Sequence, residues 1–209
     1  MEGVNELKTI DVGELAGAEF YKHMVRVIVP RPIAWVSTRS TEGIDNLAPF
    51  SYFTGVGSRP PTLLFCPANR RDGQPKDTLA NIMATRDFVV NVVTDKLVRQ
   101  MNVTAVEAAS DESEFELAGL EMIESERVNV ARVQQSPVQI ECRLRDVIHV
   151  GEGPGGANIV LGDVLLMHID PAVTDPDGFV DPVLLDVVGR MGGLDYCRTR
   201  ERFELPRPA

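Results

Sequence analysis

The sequence predicts a mainly β chain with a few short helices, closed or partly closed into an antiparallel barrel. Six short segments carry that reading: RPIAWVST from Arg31, NLAPFSYFTGV from Asn46, TLLFC from Thr62, FVVNVV from Phe88, VQIECRLRDVIHV from Val138 and IVLGDVLLMHI from Ile159. They are rich in β-branched and aromatic residues, and Gly, Pro and Asp clusters punctuate them. Only two or three stretches show helical spacing. Many short strands with few helices favour a barrel, which removes its own exposed edges.

Taken in order, Val12 to Val25 mixes Leu15, Phe20 and Met24 with polar residues and reads as a short helix. RPIAWVST is a strand, Ser40 to Gly43 turn the chain, and NLAPFSYFTGV returns as an extended partner. Pro60-Pro61 is expected to stop that ladder before TLLFC forms a short buried strand. ANRRDGQP is a loop with turn signals at Asp72-Gly73 and Pro75. Lys76-Asp77-Thr78 opens a helix whose Leu79, Ile82 and Met83 share a face, with Asp77 favourable at its positive end. After FVVNVV, Asp95 is a candidate cap for a helix with Leu97, Val98 and Met101 on its apolar face.

Residues 105–132 include the acidic ASDESEFE and read as an irregular surface excursion. In the next strand Val138, Ile140, Cys142 and Leu144 alternate with Gln139, Glu141, Arg143 and Arg145, the pattern of a half-buried strand. GEGPGGAN turns into its partner, and a Pro/Asp-rich segment leads to a short apolar element and a tail. A single domain over 1–209 is the expected organisation at this length.

Composition narrows the function classes. The formal net charge of -10 disfavours nucleic acid and anionic membrane as partners, since both need clustered Lys and Arg. No apolar run reaches membrane-spanning length, and the first residues lack a signal-peptide pattern. Cys66, Cys142 and Cys197 are widely spaced and lack CxxC or Cys/His ligand spacing, which suggests reduced thiols in a cytoplasmic protein and no metal site. Gly151 to Gly156 fits G-x-G-x-x-G, but a β-rich segment follows where a dinucleotide site needs a helix, so the glycines read as a hairpin loop.

The ordered series RPIAWVST, NLAPFSYFTGVGSRPPTLLFC, KDTLANI and FVVNVV closely resembles the flavin-reductase-like proteins, and the likeness extends more weakly through His149 to GRMGGLDYCRT. The resemblance implies a split β-barrel of the FMN-binding type with covering helices and a C-terminal tail. It also implies FMN as cofactor, NADH or NADPH as electron donor, a homodimer, and a protein electron acceptor as a further partner. Ala48, Pro49, Phe50 and Ser51 match the positions beside the isoalloxazine; Ser37 and Thr38 match those that hydrogen-bond the flavin or its ribityl chain.

Arg70, Lys76, Asp77 and Thr78 surround a helix start, where free amides and the dipole favour a phosphate. His149 is the one candidate catalytic residue, by its family position near the flavin; His23 and His168 have weaker claims. Each has an ordinary structural reading too: core aromatics, strand-end hydroxyls, a capped surface helix with Lys76 in solvent, a surface histidine. Arg190, Tyr196 and Arg198 fall in the tail, where Tyr196 is read as an anchor. Three functions stay open: an NAD(P)H-dependent flavin reductase, a non-catalytic FMN-binding electron carrier, and a ligand or interaction barrel without flavin.

Overall fold

The computed structural model describes residues 7–106, 108–109 and 112–208. The first six residues, with Glu107, Ser110 and Asp111 of the acidic excursion, lie outside them. After a 3-10 turn at Val12–Glu14 come α1 (Gly17–Val27), β1 (Ala34–Arg39), β2 (Asp45–Phe50), β3 (Phe53–Ser58), β4 (Pro61–Phe65), α2 (Asp77–Thr85) and β5 (Asp87–Val92). The chain continues through α3 (Val98–Val103), α4 (Glu114–Leu117), β6 (Met122–Ile123), β7 (Arg132–Val133), β8 (Val138–His149) and β9 (Asn158–Ile169). It ends with α5 (Pro182–Leu185), β10 (Val188–Arg190) and β11 (Tyr196–Arg198). Among the described residues no helix is long and apolar enough to cross a membrane.

Seven strands form one sheet in the order β2-β1-β5-β8-β9-β4-β3, every pairing antiparallel. Laid flat, its end strands would stand about 29 Å apart at the usual strand spacing. Yet only Ser51 and Tyr52 separate β2 from β3, a link that reaches roughly 11 Å. The sheet must therefore curl until its ends meet, as a barrel with a seam at that link.

Its interior is an apolar cluster drawn from six of the strands, including Val36, Phe50, Phe65, Phe88, Leu144 and Val160. Leu79 and Ile82 of α2 join the same cluster. Phe65 stacks at 5.1 Å from Phe50 and 5.7 Å from Phe88, ring centre to ring centre. Opposite Phe88 the wall is Gly162, where a Cβ would lie 2.3 Å from Phe88 Cζ. A second cluster covers the outer face of β1: Trp35 and Leu47 pack against Leu97, Met101, Phe115 and Val133. There the Trp35 indole N–H donates to Thr104 Oγ1 at 2.8 Å.

Several expectations need correction. NLAPFSYFTGV is two strands at opposite ends of the sheet rather than one partner of β1, because the chain leaves the ladder at Ser51-Tyr52. Pro60-Pro61 does not stop a ladder: it sits in the turn of the β3–β4 hairpin, with Pro61 paired to Ser58 as the first residue of its strand, a place where proline costs no interior bond. Residues 105–132 are no mere excursion, since Phe115, Leu120, Val128, Val130 and Ala131 are buried against the sheet.

Alternation in β8 fails in its first half. Gln139 and Glu141 are buried along with their apolar neighbours, because the 124–133 segment covers the face that the pattern assigned to water. Glu141 is satisfied there by the Glu126 and Arg127 amides and by the His168 ring, 2.6 Å away. Burial opposes its charge, but those bonds outweigh it and hold the carboxyl below the ordinary range. Asp95 does not cap α3, whose N-cap is Leu97; it pairs instead with Arg198 at 2.9 Å. Met83 is exposed, leaving Thr78, Leu79 and Ile82 as the buried face of α2.

The Gly162–Phe88 approach leaves no room for a methyl group. Gly162→Ala is expected to lower stability by roughly 1–3 kcal/mol, the usual cost of overpacking, measured by urea unfolding. An unchanged midpoint would mean that Phe88 moves aside freely.

Candidate functional site at the open edge of the barrel

Among the described residues, one end of the sheet, β2, has no strand on its outer side. The Leu47 amide points that way and donates to Glu114 Oε2 of α4 at 2.9 Å. Outward-facing groups recur every second residue in an antiparallel pair, so the Pro49 nitrogen and the carbonyls of Leu47 and Pro49 face the same edge. Proline's missing N–H costs no ladder bond there, which explains its tolerance inside a strand.

At the beginning of β2, polar side chains fasten α2 to the sheet. Asn46 donates to Thr78 Oγ1 at 3.0 Å, and Asn81 donates to Thr38 Oγ1 at 3.1 Å. Thr38 and Asn46 face each other in the β1–β2 register. The N-cap of α2 is Lys76 and no side chain caps it; the first helical bond runs from Ala80 N to Lys76 O, so the amides of Asp77, Thr78 and Leu79 have no partner within the helix. Arg70 and Asp77 form an ion pair beside this start. A cleft of about 290 Å³ opens next to it, lined by Ser40, Glu42, Asn46, Asp77, Asn81 and Glu112. Its three carboxylates make that particular hollow unfavourable for an anion.

Glu114 is only 5% exposed. Burial pushes its carboxyl up from the ordinary range; the Leu47 amide bond opposes the rise, Asp77 adds to it and Arg70 offsets it. Nothing in the sequence singled this residue out, because an acidic residue in an acid-rich stretch gives no sign of burial.

At the other end of β2, Ser51 Oγ accepts a 3.4 Å bond from Arg31 Nε. The Arg31 guanidinium is buried and also donates to the Val25, Ile28 and Met191 carbonyls, so it fixes both the end of α1 and the tail beside Ser51. A second cleft of about 200 Å³ opens here, with Pro49 and Ser51 on one side and Arg190 and Tyr196 on the other.

The structure thus brings Pro49, Ser51, Arg70, Lys76 and Asp77 along one edge and the adjoining helix start, with the buried Thr38 and Thr78 beneath them. Ala48 does not join them: its side chain packs against the inner barrel cluster, because it shares the strand face of Phe50. Phe50 turns its ring into the barrel core. Ser37 is fully buried, donates to the Ala131 carbonyl at 2.7 Å and receives the Asn91 amide at 3.2 Å, so its hydroxyl serves the outer layer. His149 lies at the end of β8, its Nδ1 2.6 Å from Asn158 Oδ1, and Asn158 in turn donates to Asn69 and to the Pro67 carbonyl. Gly151 to Gly156 form the β8–β9 loop, with Gly153 and Gly155 at positive φ, and a strand rather than a helix follows, as in a hairpin.

A curled antiparallel sheet with outward carbonyls left open beside an uncapped helix start defines a split barrel with a surface suited to a ligand. The chain belongs to the flavin reductase like family: the model of the flavin reductase like domain matches residues 24–194. Nitrilotriacetate monooxygenase component B from Bacillus cereus is similar at 32% identity over 97% of this chain and 100% of that one, with a TM-score of 0.91. The 2-nitrobenzoate 2-nitroreductase NbaA of Pseudomonas fluorescens shares 30% identity, with 96% of each chain covered and a TM-score of 0.86. A protein with a split barrel domain from Shewanella frigidimarina shares the fold at 23% identity and a TM-score of 0.80, over 94% of this chain and 96% of that one. The family is one of flavin-binding oxidoreductases. The open edge of β2 presents the carbonyls of Leu47 and Pro49, while Glu114 takes the Leu47 amide and Pro49 has none.

The raised Glu114 carboxyl has a stability consequence with a definite sign. A raised folded value stabilises the fold fully only below the unfolded value, about 4.3, and that contribution is lost as pH rises through the folded one. Glu114→Gln keeps an acceptor for Leu47 and removes the charge. Its stability relative to the unmodified protein is therefore expected to climb as pH rises above the unfolded value of about 4.3 in urea titrations; a flat difference would show that Glu114 does not titrate abnormally.

Proposed function

We propose that this protein is an NAD(P)H-dependent flavin reductase that holds FMN along the outer edge of β2, as a cytoplasmic homodimer of one-domain chains. The observation that carries the proposal is the continuity of that edge, from Ser51 through Pro49 and Leu47 to the uncapped start of α2. Bound FMN would supply the hydride-accepting ring and the electron transfer. The chain's residues have only to bind, orient and exclude water, which is why no acid–base pair stands out among them.

In this reading the outward carbonyls of Leu47 and Pro49 and the Ser51 hydroxyl hold the polar rim of the ring, while the Ala48 side chain packs inward with Phe50 and takes no part. Thr38 is as fully buried as Ser37 and its hydroxyl accepts from Asn81, so both hydroxyls position the elements under the ribityl side rather than touch it. The phosphate takes the Lys76 side of the helix start, with the Thr78 amide, away from the acid-lined cleft. Arg70 can join only by loosening its pair with Asp77. His149 receives no catalytic step, since its ring is held by Asn158.

The dimer is proposed from the family resemblance together with β3, the other sheet end, whose Thr54 to Ser58 are exposed. The Bacillus cereus relative is named as one component of a monooxygenase, which supports passing reduced flavin to a separate protein. The Pseudomonas relative is named as a nitroreductase, and the cleft beside Ser51 favours a second reading in which the acceptor is reduced in place.

Anaerobic mixing with NADH or NADPH should bleach the absorbance of bound FMN; a spectrum that neither nucleotide changes would remove the reductase reading. Lys76→Ala should weaken FMN by roughly tenfold, the scale of one charge-assisted phosphate contact, and leave riboflavin nearly unaffected. Equal losses for the two flavins would move the phosphate elsewhere. Light scattering should give twice the chain mass, and a monomer that retains FMN would count against the dimer.

A further inference from the structure

The cleft at the end of β2 has a chemistry that the flavin does not need. Ile33, Pro49 and Met101 give it an apolar floor, and Ser51, Asn102 and Arg190 give it three polar groups. Its volume of about 200 Å³ is below the usual range of 300–1,000 Å³ for drug-sized ligands and suits a single ring.

Arg190 is placed with care. It sits opposite Tyr196 in the β10–β11 register, and its guanidinium lies 4.4 Å from the centre of that ring. Tyr196 packs in turn against the outer apolar cluster, so the cation rests on an anchored platform. One guanidinium nitrogen donates to the Gly193 carbonyl at 2.6 Å. Arginine has five N–H donors, so most of the fork remains for a ligand, and none of the salt bridges among the described residues includes it. In a chain with a net charge of -10, a cation offered to a small cleft is the feature that would draw an anion there.

We infer that this cleft is a subsite for a single-ring aromatic carboxylate, with the carboxylate on the Arg190 fork and the ring on the Pro49–Met101 floor. Arg190 supplies the planar, bidentate recognition that a carboxylate requires. The Asn102 amide and Ser51 hydroxyl serve its remaining oxygen positions, and the Met101 thioether favours an aromatic face. The inference rests on the flavin reading to the extent that Pro49 and Ser51 are shared with the ring edge, which would set the ligand beside the flavin.

The test is calorimetric titration of the full-length protein with benzoate and with its neutral counterpart benzamide, in the presence and absence of FMN. Benzoate should bind saturably at one site per chain, and benzamide at least tenfold more weakly. Arg190→Gln should weaken benzoate by roughly tenfold or more without changing FMN affinity, and Arg190→Lys should lie between. Asn102→Leu, on an exposed position, should weaken benzoate as well and serves if the Arg190 variants do not fold.

Equal binding of benzoate and benzamide, or indifference of benzoate to a folded variant at either position, would overturn the subsite. Benzoate binding that depends on Arg190 in a protein unable to bind FMN would instead overturn the flavin reading and leave the subsite standing.

Discussion

Strand β1 has no face turned to water, and most of the architecture follows from that constraint. Ala34 and Val36 point into the barrel while Trp35 and Ser37 point outward, and all four are fully buried. A strand hidden on both sides needs two cores, so a second layer must cover the barrel where β1 lies. That layer is assembled from distant parts of the chain, α3, α4, β7 and β10, and each arrives with an apolar contribution. Its polar members are satisfied in place, as Ser37 is by Ala131 and Asn91 by the Trp35 carbonyl and the Val133 amide.

The covering layer also shapes the site. By resting α4 on β2, it brings Glu114 to the edge amide of Leu47, and by folding the tail back to Arg31 it forms the wall opposite Ser51. The candidate site is therefore bounded by barrel and cover alike. Loss of packing around Phe115 would disturb the edge without touching any residue that faces it, and loss of Tyr196 would do so from the cleft wall. That coupling is a property of the outer core, since both side chains belong to it.

Much of the fold was legible in the sequence because β-branched runs and turn residues mark strands locally. The β8–β9 hairpin, the β1 strand and the helix opening at Lys76 all follow from period and punctuation. Features that depend on distant segments were not legible. Nothing local tells that NLAPFSYFTGV divides at Ser51-Tyr52, since the division is set by sheet closure. The burial of Gln139 and Glu141 was hidden for the same reason: their cover comes from another segment. At the candidate site, Pro49 and Lys76 were proposed by type and position, whereas the burial of Glu114 and the core duty of Ser37 needed tertiary packing to be seen. Arg190 was visible only as a basic residue in a tail.

The proline at 49 has one more consequence. An uncovered strand edge with an unbroken row of donors and acceptors is a template on which any extended chain can add itself. At β2 that row is interrupted, with Glu114 occupying one donor and Pro49 lacking the next. The edge can thus remain open to a small molecule that needs carbonyls while offering little to a visiting strand that needs alternating partners. The same missing hydrogen would serve both selectivity against self-association and access for the proposed ligand.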